Sequence, residues 1–343
     1  MIEQSPSYKN AVKYLKERRD KEVNGIPTSF KIFNKILPTW DVNTTLLFAA
    51  SQGAGKTSFI WKYAIVDVVN YLFRNRDISC HIYYFSLELK YTEVYCKLFS
   101  DLLFKRFKKT YSREVLLGLS LERLTDEELN FIVIDCKPYL DFFDSVVSIV
   151  DMSCTPDQML ELLSTEMDGK DHEYKFVIID TVNAISADSG EKKMESIKKW
   201  NQEYALKYFR NEKNCTVINI SQLDKSSTQR QFSNKGESVW EKYIPTVESL
   251  GNDKEASNSA SLVVALFDPA VYGIKDLDGY VPYRFDGGFR MLYVLKNNFG
   301  ENNVSVPFYY DGARNFWTEI QEEPKEFTAN KDLYSKYVLE KNL

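Results

Sequence analysis

Ala50-Ser51-Gln52-Gly53-Ala54-Gly55-Lys56-Thr57 is the stretch whose residue types and spacing carry the most chemistry in this sequence. Glycines at 53 and 55 let main-chain amides come close to an anion, and consecutive amides of this kind can wrap phosphate oxygens. Lys56 is spaced to reach the β- and γ-phosphates of a nucleotide, and the hydroxyl of Thr57 suits Mg²⁺. The run Thr44–Ala50 predicts a strand and Thr57–Phe73 a helix, which is the strand–loop–helix setting a P-loop requires. Ala50 stands where the pattern usually has its first glycine. Contacts to ATP are expected from Ser51, Gln52, Gly53, Ala54, Gly55, Lys56, Thr57 and Ser58, with Mg²⁺ as the accompanying ion.

Phosphoryl transfer also needs a metal anchor and a group that orients the attacking water. Phe176-Val177-Ile178-Ile179-Asp180 reads as an apolar strand ending in an acid, so Asp180 is expected beside the metal together with Thr57. Glu88, closing Tyr84-Phe85-Ser86-Leu87-Glu88, is the candidate general base. Taken singly, either carboxylate could be a solvated strand-end residue.

These groups need a sheet to hold them at one edge. Apolar, β-rich runs recur at Thr44–Ala50, His81–Ser86, Ser145–Val150, Phe176–Asp180, Thr216–Ser221, Leu262–Phe267, Met291–Lys296 and Val304–Tyr310, with helical stretches between them. Strands alternating with helices predict an α/β fold, a mostly parallel twisted sheet flanked by helices. Residues 1–24 read as an N-terminal helical arm or linker, with an amphipathic helix over Ser5–Lys21. Residues 25–320 read as one large α/β domain, and 321–343 as a partly helical tail with a final helix at Asn330–Leu343. Asp224–Lys254 is polar and poorly periodic, as a loop would be.

With 343 residues, 44% hydrophobic and 27% charged, the chain suits a packed globular protein rather than a disordered one. Its longest apolar runs are interrupted or too short for a bilayer, and Met1–Lys13 is too polar for a signal segment, so no membrane association and a cytoplasmic location are expected. Five scattered cysteines and two histidines, His81 and His172, assemble no usual zinc set and suggest no disulfides. The net charge of -5 argues against a broad basic face, while leaving room for a basic loop or channel.

From Gly25 to about Trp317 the order of these segments resembles the motor domain of the superfamily 4, DnaB-type replicative helicases, a RecA-like P-loop ATPase core. Gly25-Ile26-Pro27-Thr28-Ser29-Phe30 is similar to that family's entry segment and Ser51–Thr57 to its phosphate loop. Phe85-Ser86-Leu87-Glu88 resembles the segment whose glutamate activates water, and Leu124-Thr125-Asp126-Glu127-Glu128 the helix that follows. Asn219-Ile220-Ser221-Gln222-Leu223-Asp224-Lys225 is similar to the strand end at which a glutamine senses the γ-phosphate. The resemblance implies a homohexameric ring, ATP hydrolysis between subunits, translocation on single-stranded DNA, and a primase or helicase loader as further partner. It places DNA contacts in Ser186–Lys193 and Asp224–Lys254, where Lys225, Arg230 and Lys235 suit backbone phosphates. A short cationic run in a polar loop is otherwise simply solvated.

Two departures matter. Lys296-Asn297-Asn298-Phe299-Gly300 resembles the hairpin that presents a lysine and an arginine to the neighbouring subunit's nucleotide, yet Asn298 stands at the arginine position; Lys296 is retained, and Arg290 and Arg314 are the cations available nearby. The family's N-terminal primase-interacting domain has no counterpart here, which suggests a reduced, phage-type protein working in a host cytoplasm, with the arm holding the ring. A RecA-like recombinase or RadA-type branch-migration motor shares the P-loop, and a nucleotide-gated assembly factor with weak hydrolysis would tolerate Asn298. The Ser-Leu-Glu and Ser-Gln-Leu segments favour the helicases.

Overall fold

The central strands are mostly apolar and buried along almost their whole length, as strands covered on both faces require. The computed structural model describes residues 8–19, 25–30, 36–37, 39–41, 43–223, 240–302 and 304–320. Its strands are β1 (Ile26–Pro27), β2 (Thr39–Trp40), β3 (Thr45–Ala50), β4 (Cys80–Ser86), β5 (Val147–Val150), β6 (Tyr174–Asp180), β7 (Thr216–Gln222), β8 (Leu262–Phe267), β9 (Phe289–Asn297), β10 (Ser305–Asp311) and β11 (Phe316–Glu319). β1 and β2 form a separate antiparallel pair, and the rest form one sheet in the order β11-β10-β9-β8-β3-β7-β6-β4-β5. From β8 to β5 neighbouring strands are parallel. β9, β10 and β11 extend the sheet antiparallel.

The expected α/β sheet with flanking helices is thus present. β11 was not legible, because four residues with one tryptophan give too short a pattern to separate from a turn.

Alternation along β3 divides the core. Leu46, Phe48 and Ala50 face one side, packed with Phe59, Ile60 and Tyr63 of the helix that follows. Leu47 and Ala49 face the other, against Leu250, Ala256 and Ala260. That helix, expected over Thr57–Phe73, runs from 56 to 74 and winds in wider π turns across Trp61–Val66. Met159, Leu163, Trp200 and Phe209 cover the second face over β4, β6 and β7.

The connection from β4 to β5 is a helical insertion, Tyr91–Phe107, Arg113–Leu116, Asp126–Asn130 and Lys137–Val146, with a small core of its own around Leu103, Tyr111 and Ile132. Thr125 and Glu128 start its third helix as a reciprocal cap, with N···O distances of 3.2 and 2.8 Å. The N-terminal helix spans Tyr8–Arg19 and is tied to the domain by an Arg18–Asp41 ion pair. Within the expected loop, Trp240–Tyr243 and Val247–Asp253 form short 3-10 turns, and a helix, Lys254–Ser259, begins at its last residue. Residues 224–239 and the tail helix expected at Asn330–Leu343 lie outside the described residues.

Candidate functional site

β3 is the centre of the sheet, so the loop leaving it emerges between the carboxyl ends of β7 and β8. Gly53 and Gly55 both adopt left-handed backbone, with φ of +81° and +101°. Their reasons differ. A Cβ on Gly53 would meet nothing within 4 Å, so its surroundings are open to a ligand, whereas one on Gly55 would lie 2.8 Å from Trp317 and 3.0 Å from Tyr310. Tyr310 and Trp317, stacked with centroids 4.2 Å apart, therefore form the back wall of the loop. Ala54 is buried, Ser51 is partly buried and Gln52 is exposed. Lys56 and Thr57 begin the helix, where free main-chain amides and the helix dipole favour an anion. Ser58 turns its hydroxyl the other way, to Asn315 and to the Trp317 indole, which donates to it at 3.1 Å.

Asp180 ends β6, two strands from β3, and is 3% exposed. The Thr57 hydroxyl donates to its Oδ1 at 3.1 Å, and the Tyr84 hydroxyl donates to its Oδ2 at 2.8 Å. Burial pushes the Asp180 carboxyl up, while the Tyr84 hydrogen bond, the Lys97 ammonium, Thr57 and Lys56 pull it down in that order. Tyr84 lies inside a strand that reads as core, and only a polar tip on an otherwise apolar run hinted at it.

Glu88 is exposed in the turn after β4. That turn is fixed by the Leu87 amide donating to the Asp180 carbonyl at 2.9 Å and by Ser86 Oγ donating to the Leu89 carbonyl at 2.7 Å. Gln222, at the end of β7, is opposite Ala50 in register, and its main-chain N–H donates to Asn183 Oδ1 at 3.1 Å. The fold thus gathers Lys56, Thr57, Asp180, Glu88 and Gln222 at one edge of the sheet. Of these, Lys56 and Thr57 line a cavity of about 390 Å³ that opens between the loop, the helices Tyr91–Phe107 and Arg113–Leu116, and the β10–β11 turn.

The cations on the antiparallel side are engaged by groups of the same chain. Arg290 is not available to another subunit. Its side chain, 7% exposed, pairs with Asp268 at 2.9 Å and donates from Nε to the carbonyl of Ala54 at 3.0 Å, so it braces the loop from inside. Burial pushes Asp268 up and Arg290 down, and each partner opposes the shift of the other. Lys296 donates its ammonium to the carbonyls of Ser257 and Asn258, at 3.0 and 3.1 Å. Asn298 is exposed, and Arg314 pairs with Asp311 and lies over the Phe104 ring. Ser186–Lys193 is irregular up to the helix that begins at Lys193. Lys225, Arg230 and Lys235 fall outside the described residues.

Thr57 and Asp180 offer hard oxygens 3.1 Å apart beside the loop, which fits Mg²⁺, an ion commonly held by one or two protein oxygens together with phosphates and water. All five cysteines are buried free thiols. No helix among the described residues is long and apolar enough to cross a membrane.

The model of the DnaB-like helicase C terminal domain family matches residues 25–239. No curated protein matches the sequence. Among solved structures, one ATPase domain superposes with a TM-score of 0.70 at 14% identity, covering 92% of this chain and 99% of that one. A DnaB-like replicative helicase, studied with its interactions with primase, superposes with a TM-score of 0.68 at 15% identity, covering 94% of this chain and 69% of that one. At such identities these two likenesses speak for the fold alone.

Proposed function

The chain belongs to the DnaB-like helicase C-terminal domain family, and from that premise we propose a replicative helicase motor that hydrolyses ATP between the subunits of a homohexameric ring and translocates on single-stranded DNA. The observation that carries the proposal is the Thr57 hydroxyl held 3.1 Å from the buried Asp180 carboxylate, directly beside an open left-handed loop and a helix N-terminus. An anion and a cation could be held there together.

In this reading the amides of Ser51 to Ser58 wrap the phosphates, and Lys56 neutralises the β- and γ-oxygens. When bound with Thr57 and Asp180, Mg²⁺ supplies charge neutralisation between those phosphates. Tyr84 keeps one Asp180 oxygen in place, so the other is presented toward Thr57. Glu88 takes the proton of the attacking water. Gln222, beside the loop's first residue, passes the state of the γ-phosphate to the segment that carries Lys225, Arg230 and Lys235, the candidate contacts to DNA. The motor unit spans residues 25–320, from the strand pair that opens at Ile26 to the end of the sheet at Glu319. A primase or loader would engage the ring from outside these elements.

A reading with slow hydrolysis has its own support. Lys296 is occupied by two carbonyls of its own subunit, and Asn298 offers no positive charge to a neighbour. The deciding experiment is nucleotide binding and DNA-stimulated phosphate release by wild type and Lys56→Ala. Lys56→Ala is expected to lose both, together with nucleotide-dependent ring assembly. Ordinary ATP affinity in that variant would overturn the nucleotide assignment of the loop.

A further inference from the structure

A second lysine faces the same cavity. Lys97 sits on the helix Tyr91–Phe107, across from the loop that carries Lys56, and both line the space. Its ammonium has no hydrogen-bond or ion-pair partner among the described residues. Nearby Glu93 is already committed, capping the helix through the Lys90 amide at 3.0 Å and pairing with Arg113. Desolvation holds the Lys97 pKa below the usual lysine range, only partly offset by Asp180 and Glu93. Lys97 also pulls the Asp180 carboxyl down more than Lys56 does. A charge in such a place ordinarily has a partner of opposite sign. Asp180 is a poor one, because both of its oxygens already accept hydroxyls, from Thr57 and Tyr84.

Among the described residues, the other cations near the site are committed elsewhere, Arg113 to Glu93 included. Transfer of a terminal phosphoryl group builds negative charge that a fixed positive group stabilises, in cis or from a neighbour. Asn298 carries no charge, Arg290 is locked on Asp268 and Ala54, Lys296 is spent on Ser257 and Asn258, and Arg314 is held by Asp311.

We propose that Lys97 is a cis-acting second cation of the nucleotide site, facing the terminal phosphate of a bound nucleoside triphosphate across the cavity from Lys56. It supplies the charge that a neighbour's arginine would otherwise bring. In the step it assists, the water oxygen bonds to the γ-phosphorus and the bond to the bridging oxygen breaks. The electron pair leaves with the diphosphate, and the water proton goes to Glu88. Lys97 transfers nothing; it stays charged and in contact with the oxygens that gain charge. This rests on the reading of the cavity as a nucleotide site.

The test compares full-length wild type, Lys97→Met, Lys97→Gln, Lys97→Arg and Lys56→Ala. The readouts are Mg²⁺-dependent affinity for a non-hydrolysable ATP analogue and for ADP, thermal stability without nucleotide, and DNA-stimulated turnover. Lys97→Met and Lys97→Gln should lose triphosphate affinity about tenfold while ADP affinity holds, so that the preference for triphosphate collapses. Turnover should fall by about 10²-fold, and Lys97→Arg should recover most of both losses. Stability without nucleotide should hardly change, since the ammonium has no protein partner to lose. If Lys97→Met and Lys97→Gln keep the triphosphate preference and turnover within a few-fold of wild type, Lys97 is not a phosphate contact. If either is markedly destabilised without nucleotide, its partner is Asp180 and the proposal is wrong. Retained nucleotide binding in Lys56→Ala would instead bring down the underlying reading of the cavity.

Discussion

Neutralising Asp268 tests whether the phosphate loop is braced from behind by a buried cation. Asp268 Oδ2 pairs with Arg290 at 2.9 Å, with side chains 9% and 7% exposed, while its Oδ1 accepts the Ala270 amide at 3.0 Å. Asp268→Asn can keep the second contact and lose the charge. Arg290 would then sit buried among the carbonyls of Ala54, Gly287 and Phe289 and over the Tyr310 ring, with no anion to balance it. Breaking one side of a buried pair costs about 3–5 kcal/mol, and the three remaining carbonyls should hold the loss near the lower end, about 3 kcal/mol. Arg290→Met should cost a similar amount, and it also strips the donor from Ala54, so ATP affinity should fall about tenfold. The double variant should cost less than the sum by about 1–3 kcal/mol, because the second change removes the stranded charge. Urea denaturation gives the stabilities and a fluorescent ATP analogue gives the affinities. Less than about 1 kcal/mol for Asp268→Asn, or unaltered ATP affinity in Arg290→Met, would refute the idea that this pair supports the loop.

Glu88→Gln should leave ATP and DNA binding intact and cut DNA-stimulated turnover by about 10²-fold or more, trapping an ATP-bound complex; turnover within a few-fold of wild type would move the base elsewhere. Asn298→Arg should raise turnover about tenfold or more in assembled protein, and an unchanged rate in an intact ring would mean that this strand end does not reach a neighbour's nucleotide. His81 is held at about 4, below its ordinary 6.5, first by burial and then by His172 and Lys170. A depressed histidine contributes stability that is present above pH 6.5 and lost as pH falls toward about 4, so wild type should lose about 2 kcal/mol more than His81→Gln between pH 7 and 4.5. Parallel pH profiles of urea midpoints in the two proteins would show that His81 is not responsible.

What could be read from the chain was what the chain encodes locally. The loop, its glycines and the helix after it are contiguous, and Asp180 and Gln222 close apolar runs whose direction a parallel sheet fixes. The cations were not legible for the opposite reason. Arg290 lies in a strand among Phe289 and Met291 and reads as an outward edge residue; its partners are Asp268, just past the end of β8, and Ala54, 236 positions away. Lys97 reads as the polar face of a helix, and only the packing of that helix across the loop turns it into the cavity. Tyr84 reads as core because its ring is core, and its hydroxyl matters only because β4 and β6 are neighbours.

The wall behind the phosphate loop also sets an order of events during synthesis. Ser58 meets Trp317, 259 residues further along, and the braces from Arg290, Tyr310 and Asn315 also come from the last third of the chain. At roughly 5–20 residues per second, a ribosome needs tens of seconds after making the loop to release the strands that hold it. A growing or truncated chain ending before β9 carries the whole phosphate motif with nothing behind it. The loop's braces therefore arrive late, after nearly all of the chain has been made.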